Sequence, residues 1–294
     1  MRVGVVDVGS NTVRLLVAES GGGAPVRLRA ERAYLGLAAE ILDRGEIGSE
    51  KIAETARVVG DYAALARRLG AQHVEIVITA PGRQALNSDT LLEALAREAG
   101  APIRVLSGEE EGLLAYEGAV ACAGALPRTV AVCDVGGGST ELVVGAPPAA
   151  PVWSRSADVG ALGLTSRLIR SDPPTRGELD AAAAEIDRRL AGLTPPQPLG
   201  AIAVGGSARG LTRLVGPSLG VGALDEALGL IRKRPAAKLA KRHGLDPERA
   251  RLLPAGALIL RAVAVRLGVP LELGRGGLRE GLAAALLAEA EAAA

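Results

Sequence analysis

The chain has 294 residues, which is enough for two domains that each bury a core of their own. Apolar residues make up 48% of it and aromatic residues only 1%, so the cores must consist of Ala, Leu, Val and Ile. The formal net charge of +1 excludes a general attraction to nucleic acid or membranes, and no apolar run is long enough to span a bilayer.

In chain order, the first predicted unit is a strand, a polar turn and a second strand over Val3–Val17. Apolar residues lead up to Asp7, the turn follows, and a second apolar run begins at Val13. The turn consists of Gly9, Ser10, Asn11 and Thr12. It is not a Walker A loop, because no Lys-Ser or Lys-Thr pair follows it and the next element is a strand.

Only Met1 and Arg2 precede this first strand, so we expect no signal peptide and a cytoplasmic protein. The two cysteines, Cys122 and Cys133, fit neither a disulfide framework nor a metal cluster. We therefore expect two buried, reduced thiols.

The next hundred residues predict alternating helices and strands. A strand over Val26–Tyr34 continues the first sheet, and Ser49 caps a helix that ends near Leu69. A strand over Val74–Thr79 is followed by a turn into a helix that carries Arg83. Strand ends are where α/β sheets place ligands, so Arg83 is either a ligand-binding residue or an ordinary solvated arginine.

Three consecutive glutamates, Glu109–Glu111, stand just before a predicted helix over Leu113–Val120. The helix dipole alone would explain negative charge at that position. However, the run lies between the first polar turn and a second one described next. One of its carboxylates could therefore reach a water molecule in a cleft and act as a general base.

The strand–turn–strand pattern returns at Ala131–Gly145, where a buried strand ends at Asp134 and Leu142–Val144 forms the next one. The turn consists of Gly136, Gly137, Gly138, Ser139 and Thr140. Glycines let a backbone approach a ligand closely, and successive amides with two hydroxyls form a nest for an anion. Asp134 and Glu141 flank the nest with oxygen ligands that suit Mg²⁺; a plain tight hairpin is the alternative.

Beyond this turn, the sequence predicts a helix from Arg176 to Leu190 and a strand over Ile202–Val204. A glycine turn at Gly205–Ser207 then opens a helix whose N-terminus could face an anion. The stretch Ile231–Arg242 is strongly basic and is either a solvated face or a track for a long polyanion. A final helix is predicted from Arg279 onwards.

The two polar turns resemble the phosphate loops of the actin-like phosphotransferase superfamily. Seven segments, in the family's order and spacing, resemble the exopolyphosphatase / guanosine pentaphosphate phosphohydrolase (Ppx/GppA) family more narrowly. They are Asp7–Val17, Thr79–Asn87, Leu106–Val120, Cys133–Gly145, Ala203–Leu211, Leu252–Leu260 and Gly276–Leu282.

The resemblance implies an α/β fold of two actin-like (ribonuclease H-like) domains with a cleft between them. Domain I would span residues 1–117, with a C-terminal helix over 279–294 packing back onto it. Domain II would span residues 118–278. Longer family members append further helical domains, so the resemblance implies a short form with the actin-like core alone.

The resemblance also implies roles for single residues. Glu111 would be the catalytic residue that orients and deprotonates the attacking water. Asp134 and Glu141 would be the acids associated with Mg²⁺, with Asp7 at the matching place in the first turn. The phosphate-binding residues would be Gly9, Ser10, Asn11, Arg83, Gly136, Gly137, Gly138, Ser139 and Thr140. The chain departs from the family's pattern at Pro81-Gly82, and at Gly163, where an arginine is common.

The function implied is that of an exopolyphosphatase, the Mg²⁺-dependent hydrolysis of terminal phosphate from inorganic polyphosphate. Hydrolysis of guanosine pentaphosphate (pppGpp), an ATP-dependent kinase of the same fold, and a non-catalytic polyphosphate or alarmone sensor are the alternatives. A kinase is disfavoured because Gly205–Arg209 lacks an evident partner for an adenosine pocket. The expected partners are polyphosphate or pppGpp, with neither nucleic acid nor membrane, and a homodimer is left open.

Overall fold

The computed structural model describes residues 1–22 and 24–292. The chain divides into two compact units, Met1–Cys122 with Gly276–Ala294, and Ala123–Arg275. Within the described residues, no helix is long and apolar enough to cross a membrane. Both cysteines are free thiols; Cys133 is buried, whereas Cys122 is only half-buried, in contrast to the prediction.

The first unit is a five-stranded mixed sheet with helices on both faces. Its strands are β1 (Arg2–Val8), β2 (Thr12–Glu19), β3 (Val26–Tyr34), β4 (His73–Ile78) and β5 (Ile103–Val105). Its helices are α1 (Leu37–Arg44), α2 (Ser49–Arg68), α3 (Ala80–Gln84), α4 (Ser88–Ala99), α5 (Gly108–Ala121) and, from the end of the chain, α12 (Leu278–Ala292). The strand order is β3-β2-β1-β4-β5; β1 to β3 are antiparallel, and β4 and β5 run parallel to β1.

The strand β1 is central because its side chains are apolar on both faces. Val6 and Val8 pack with α2 and α4, while Val3 and Val5 pack with α12. Side chains alternate along a strand, so Asp7 lies on the same face as Val3 and Val5. The acid at the end of β1 therefore faces the side of the sheet that α12 covers.

The helices α5 and α12 lie so close together that glycine is required between them. A Cβ atom on Gly118 would lie 2.0 Å from the carbonyl oxygen of Gly277, and one on Gly281 would lie 2.0 Å from that of Leu114. Both obstacles are backbone atoms, which cannot move aside as the end of a flexible side chain can.

We expect Gly281→Ala to lower the midpoint of thermal unfolding of the full chain, because overpacking of this kind costs about 1–3 kcal/mol. Gly229→Ala is the matched control: Gly229 is also helical, and nothing lies within 4 Å of the Cβ atom it would gain. That control should be neutral or slightly stabilising. Equal midpoints for both variants would contradict the close approach of α5 and α12.

The second unit is a six-stranded mixed sheet covered by six helices. Its strands are β6 (Val130–Val135), β7 (Thr140–Gly145), β8 (Trp153–Ala157), β9 (Gly200–Val204), β10 (Ser218–Leu219) and β11 (Leu271–Leu273). Its helices are α6 (Ala161–Leu168), α7 (Arg176–Leu190), α8 (Gly205–Val215), α9 (Val221–Arg232), α10 (Ala236–His243) and α11 (Pro247–Leu267). The helix α11 packs against α6, α7, α8 and α9 and so lies within the helical layer.

The two sheets repeat one another. The second has the order β10-β11-β9-β6-β7-β8, in which β6, β7 and β8 are antiparallel and β9 and β11 run parallel to β6. Strands β8-β7-β6-β9-β11 thus correspond to β3-β2-β1-β4-β5, and β10 is an additional edge strand. This repetition confirms the predicted α/β, actin-like fold class.

Several predicted element bounds differ from the structure at helix starts. Gly48, and not Ser49, is the N-cap of α2. The helix α5 begins at Gly108, so Glu109–Glu111 lie inside its first turn and not before it. The predicted domain boundary after residue 117 falls inside α5, and the units instead divide after Cys122 and Arg275, because α5 continues to Ala121 along α12.

Candidate active site

The turn after β1 and the turn after β6 close in the same way. The Gly9 amide donates to the Thr12 carbonyl oxygen at 3.0 Å, and the Gly136 amide donates to that of Ser139 at the same distance. Glycine is not needed for a left-handed backbone here, because none of the glycines in the two turns has a positive φ. The predicted repeat of one turn is therefore present in the backbone, once in each unit.

The first turn is held in place through its carbonyl groups. The carbonyl of Asn11 accepts the amides of Leu35 and Gly36 at 3.0 and 3.2 Å, and that of Ser10 accepts the amide of Ala38 at 2.9 Å. The amides of Ser10 and Asn11 donate to no other residue that the structure describes. Unbonded amides on a fixed loop are the donors that a phosphate oxygen needs.

The N-terminus of α6 fixes the second turn in the same manner. The Ala161 amide donates to the Gly136 carbonyl at 2.9 Å, and the amides of Leu162 and Gly163 donate to the Gly137 carbonyl at 3.0 and 3.1 Å. Within the described chain, three amides of this turn donate to no residue: those of Gly137, Gly138 and Ser139. Both turns thus offer amides, and both are anchored by their carbonyl oxygens.

A glycine outside the turn makes this anchoring possible. A Cβ atom on Gly160 would lie 2.4 Å from the carbonyl carbon and oxygen of Gly137, so α6 could not approach with any other residue there. Sequence analysis missed Gly160, because no local pattern marks its contact with Gly137. At Gly163, where the family often has an arginine, Arg167 one turn later donates through Nε to the carbonyl of Gly163 at 3.3 Å.

Two hydroxyls of the second turn have different surroundings. Thr140 is fully buried and its hydroxyl donates to the carbonyl oxygen of Val159 at 2.6 Å. A hydroxyl has one proton, so Thr140 has none left to donate to a phosphate, in contrast to the predicted role. Ser139 is buried too, but its hydroxyl forms no hydrogen bond with any described residue.

The residue that faces the aspartate across each hairpin differs in charge between the two units. In the register of β1 and β2, Asp7 faces Arg14, whereas in that of β6 and β7, Asp134 faces Glu141. The same backbone device therefore places an arginine opposite the aspartate in one unit and a glutamate opposite it in the other.

Asp7 is consequently a poorer candidate for a cation than the sequence predicted. Burial raises the pKa of Asp7, and the positive charges of Arg14 and Arg279 lower it. Arg279, in the first turn of α12, also donates to the carbonyl oxygen of Leu15 at 3.4 Å. The positive charges of Arg14 and Arg279 compete with a cation for Asp7, and they offset the effect of burial on its pKa only in part.

Asp134 and Glu141 have the chemistry of a divalent-cation site. Glu141 is 1% exposed, and its Oε1 accepts the hydroxyl of Ser156 at 2.9 Å. Gly205, with φ of 87°, leaves room for Asp134, since a Cβ atom there would lie 2.5 Å from its Oδ1. Burial, and then the negative charges of Asp134 and Glu141, raise the pKa of Cys133 well above its usual value. Two carboxylates at facing positions supply the kind of oxygen ligands that a divalent cation takes.

The protein supplies only part of such a site. No group of three or more His, Cys, Asp or Glu side chains that could hold a metal ion occurs in the part of the chain that the structure describes. Mg²⁺ typically binds through one or two carboxylates and keeps water or phosphate oxygens as its other ligands. The donor set therefore fits Mg²⁺ better than a metal that needs a complete protein cage.

The three glutamates at the start of α5 have separate environments. Glu110 and Ser107 form a capping box, in which the Ser107 hydroxyl accepts the Glu110 amide and the Glu110 carboxylate accepts the Ser107 amide. Hydrogen bonds from Arg104 and from Ser107 lower the pKa of Glu110 to about 2. Glu109 is exposed, whereas Glu111 is buried. The capping role therefore belongs to Glu110, and Glu111 is the buried member of the three.

Glu111 is held by Arg83. The two guanidinium nitrogens of Arg83 donate to Oε2 of Glu111 at 3.2 and 3.3 Å, and Nη1 also donates to the carbonyl of Leu106 at 2.6 Å. Arg83 is placed by the end of β4, where the Thr79 amide donates to the carbonyl of Val8 at 3.1 Å. Because β1 and β4 are parallel, the turn after β1 and the helix that carries Arg83 share one edge of the sheet.

The departure at Pro81-Gly82 is explained by packing at this edge. Pro81 lies in the first turn of α3, where its missing amide costs nothing. A Cβ atom on Gly82 would lie 2.8 Å from Cγ2 of Ile78 and 3.3 Å from Cγ1 of Val105. A larger pair of residues would push α3, and with it Arg83, away from the sheet.

Fold and site together define the class. Each unit has the sheet order of the actin-like phosphotransferase fold and an amide-bearing turn between its first two strands. More narrowly, residues 16–290 match the Ppx/GppA phosphatase family, and the chain belongs to that family.

Similar proteins and a solved structure agree with this assignment. Exopolyphosphatase 2 of Mycobacterium tuberculosis is 32% identical over 90% of this chain and 90% of its own length. Guanosine-5'-triphosphate,3'-diphosphate pyrophosphatase of Vibrio vulnificus is 28% identical over 97% of this chain and 59% of its own length. The crystal structure of the Aquifex aeolicus Ppx/GppA family member superposes with a TM-score of 0.82 at 27% identity, over 99% of this chain and 98% of that one.

Proposed function

We propose that the chain is an exopolyphosphatase that hydrolyses the terminal phosphoanhydride bond of inorganic polyphosphate, with Mg²⁺ as its cation. The observation that carries this proposal is the buried carboxylate of Glu111, held by Arg83 at the edge of the sheet where the first turn lies. The proposal includes a cytoplasmic location, which the two free thiols support.

In this proposal, each of the two turns is a phosphate-binding element. The amides of Ser10 and Asn11 in one unit, and of Gly137 and Gly138 in the other, are fixed donors to phosphate oxygens. The Ser139 hydroxyl is a further donor. The Thr140 hydroxyl instead fixes the turn, because it donates to the carbonyl oxygen of Val159.

Glu111 acts on the attacking water. Its carboxylate accepts a proton as the water oxygen bonds to the terminal phosphorus, in line with the bridging oxygen that leaves on the shortened chain. Arg83 has five N–H donors in a planar fork, enough to hold Glu111 and also to contact an oxygen of the phosphoryl group in transfer. Positioning and charge stabilisation supply most of the rate in such reactions.

Asp134 and Glu141 would hold the cation. A bound Mg²⁺ would neutralise charge on the phosphate oxygens as the bond breaks. The protein's own contribution is to keep two carboxylates facing each other at the base of the second turn, with Ser156 fixing the orientation of Glu141.

The decisive experiment measures phosphate release from long-chain polyphosphate, triphosphate and pppGpp in parallel, with and without Mg²⁺. We expect polyphosphate to have the highest kcat/KM. The similarity to the Vibrio vulnificus enzyme, named for a guanosine substrate, favours pppGpp hydrolysis as the second candidate. Transfer of phosphate from ATP to an acceptor would instead identify a kinase, and binding without release of phosphate would identify a sensor.

The metal assignment has its own test. We expect Asp134→Asn and Glu141→Gln each to raise the Mg²⁺ concentration for half-maximal activity by about tenfold or more, because each replaces a charged oxygen ligand with a neutral one. Calorimetric titration of Mg²⁺ should show the same loss of affinity. Asp7→Asn is the matched comparison and should change the Mg²⁺ affinity less, since the positive charges of Arg14 and Arg279 act on Asp7. Equal effects of all three variants would contradict the assignment.

A further inference from the structure

The end of α9, the following turn and α10 form one strongly basic surface. Six cations occur within eleven residues: Arg232, Lys233, Arg234, Lys238, Lys241 and Arg242. No acidic residue occurs between Glu226 and Asp246. The whole chain has 34 basic and 33 acidic residues, so general basicity does not account for this cluster. We call residues 232–242 the distal basic segment.

The charges of this segment are not balanced within the unit. Among the described residues, none of its six side chains has an ion pair or hydrogen-bond partner, and all but Arg234 are exposed. Nearby acids are engaged elsewhere: Asp172 accepts the amide of Ala236, Asp246 caps α11, and Asp225 pairs with Arg261. Closely spaced like charges repel, and an anionic partner would relieve that repulsion.

One end of α10 is tied to the second turn through α6. The N-terminus of α6 is bonded to the carbonyls of Gly136 and Gly137. Just beyond its other end, Oδ1 of Asp172 accepts the amide of Ala236, the first residue of α10, at 2.8 Å. The eight residues of α6 span about 12 Å.

The other end of α10 is tied to the same region through α8. The helix α8 starts at Gly205, beside Asp134, and Arg213 lies eight residues further along it. The Arg213 carbonyl oxygen is 3.0 Å from Nδ1 of His243, at the C-terminus of α10. Eight residues of helix again correspond to about 12 Å. The C-terminal end of α10 thus lies about two helical turns from Gly205, and its N-terminal end is bonded to a residue four positions beyond the end of α6.

From this geometry we propose that the distal basic segment binds the part of a long polyphosphate chain that lies away from the reacting terminal phosphate. The inference rests on the proposed function and specifies its substrate class. Three linked phosphates bound at the turn do not cover this distance, whereas a long chain does. The segment therefore distinguishes polymeric from small phosphate substrates.

Polyphosphate fits the segment better than other polyanions do. Residues 221–247 contain no Phe, Tyr or Trp on which bases could stack, which disfavours single-stranded nucleic acid. The exposed residues of α10 are Ala237, Lys238, Lys241 and Arg242, so no apolar face is available for insertion into a membrane. A flexible, unbranched chain with a charge on every unit can be bound by cationic side chains alone. The exposed charged groups of the segment are all cations.

The test replaces four exposed cations together, Lys233→Gln, Lys238→Gln, Lys241→Gln and Arg242→Gln, in the full chain. We expect the KM for long-chain polyphosphate at low salt to rise about 5- to 20-fold, because each exposed contact is weak but the four act together. The kcat value, and both constants for triphosphate, should stay within about twofold of the wild type. The difference in KM should vanish at about 0.5 M salt, where exposed charges are screened.

A charge-matched control removes four exposed arginines outside the segment: Arg57→Gln, Arg68→Gln, Arg97→Gln and Arg128→Gln. It changes the net charge equally and should leave the KM for long chains unchanged. An equal rise in KM in the control, an unchanged KM in the segment variant, or an equal loss on triphosphate would each overturn the inference.

Binding of labelled long-chain polyphosphate by the Glu111→Gln variant, with and without the four segment substitutions, separates this inference from the proposed activity. Weaker, salt-sensitive binding after the substitutions supports the segment as a polyphosphate site, even where the wild type releases phosphate only from pppGpp. Release of phosphate only from pppGpp would refute the proposed activity and leave the segment as a polyphosphate site. If single-stranded RNA of the same charge competes for the segment as well as polyphosphate does, the segment is a nucleic-acid site and the inference is overturned.

Discussion

Glu111→Gln should lower kcat on polyphosphate by about 10²–10⁴-fold while the chain still binds its substrate, since the amide keeps the shape of the side chain and loses its basicity. The expected loss is large because only one of the three glutamates in the first turn of α5 is buried and held by Arg83. Initial-rate kinetics of phosphate release, together with equilibrium binding of polyphosphate, measure the two effects separately.

The neighbouring glutamates provide the controls. Glu109→Gln removes an exposed charge and should leave kcat within about twofold. Glu110→Gln weakens the capping box and should reduce thermal stability more than turnover. Near-normal turnover in Glu111→Gln, or a larger loss in Glu110→Gln, would move the general base to a different residue and refute the assignment.

The sequence was sufficient for the backbone of both hairpins because the information there is local. Alternating and continuous apolar runs define strands, and a glycine-rich polar stretch between them can only be a turn. The same local logic identified β3 and α7 with their observed bounds. Both hairpins and their amide-bearing turns follow from patterns that span fewer than twenty residues, whereas β8, β10 and β11 were not predicted.

The charges within the hairpins could not be ranked in the same way. Asp7 and Asp134 occupy equivalent positions in the sequence motif, and only the strand register shows Arg14 opposite one and Glu141 opposite the other. Arg279 reaches the vicinity of Asp7 from the far end of the chain. The metal-binding potential of an aspartate depends on such neighbours, and they are remote in sequence.

The roles of hydroxyls, caps and glycines depended equally on tertiary contacts. Thr140 looks like a phosphate ligand in the motif, yet its proton is donated to the Val159 carbonyl. Gly160 was given no role by the sequence, yet α6 could not anchor the second turn without it. Glu110 and Glu111 are adjacent and chemically identical, and they differ only because one faces Ser107 and the other faces Arg83.

The second large effect is expected at Arg83. Arg83→Met should lower kcat/KM for polyphosphate by about 10²–10³-fold, because it removes a donor to the phosphoryl group in transfer and the cation that holds Glu111. Arg83→Lys keeps the charge but not the planar fork, and it should recover only part of the lost rate.

A double-substitution cycle decides whether Arg83 acts with Glu111 or independently of it. Groups that act as a unit lose little more together than apart, so Arg83→Met combined with Glu111→Gln should have nearly the kcat of Glu111→Gln alone. The same combination should still raise the KM, because the phosphate contact is lost in either background. If the two losses in kcat multiply instead, Arg83 stabilises the phosphoryl group without orienting the base, and its hydrogen bonds to Glu111 serve only to hold α5 against the sheet edge.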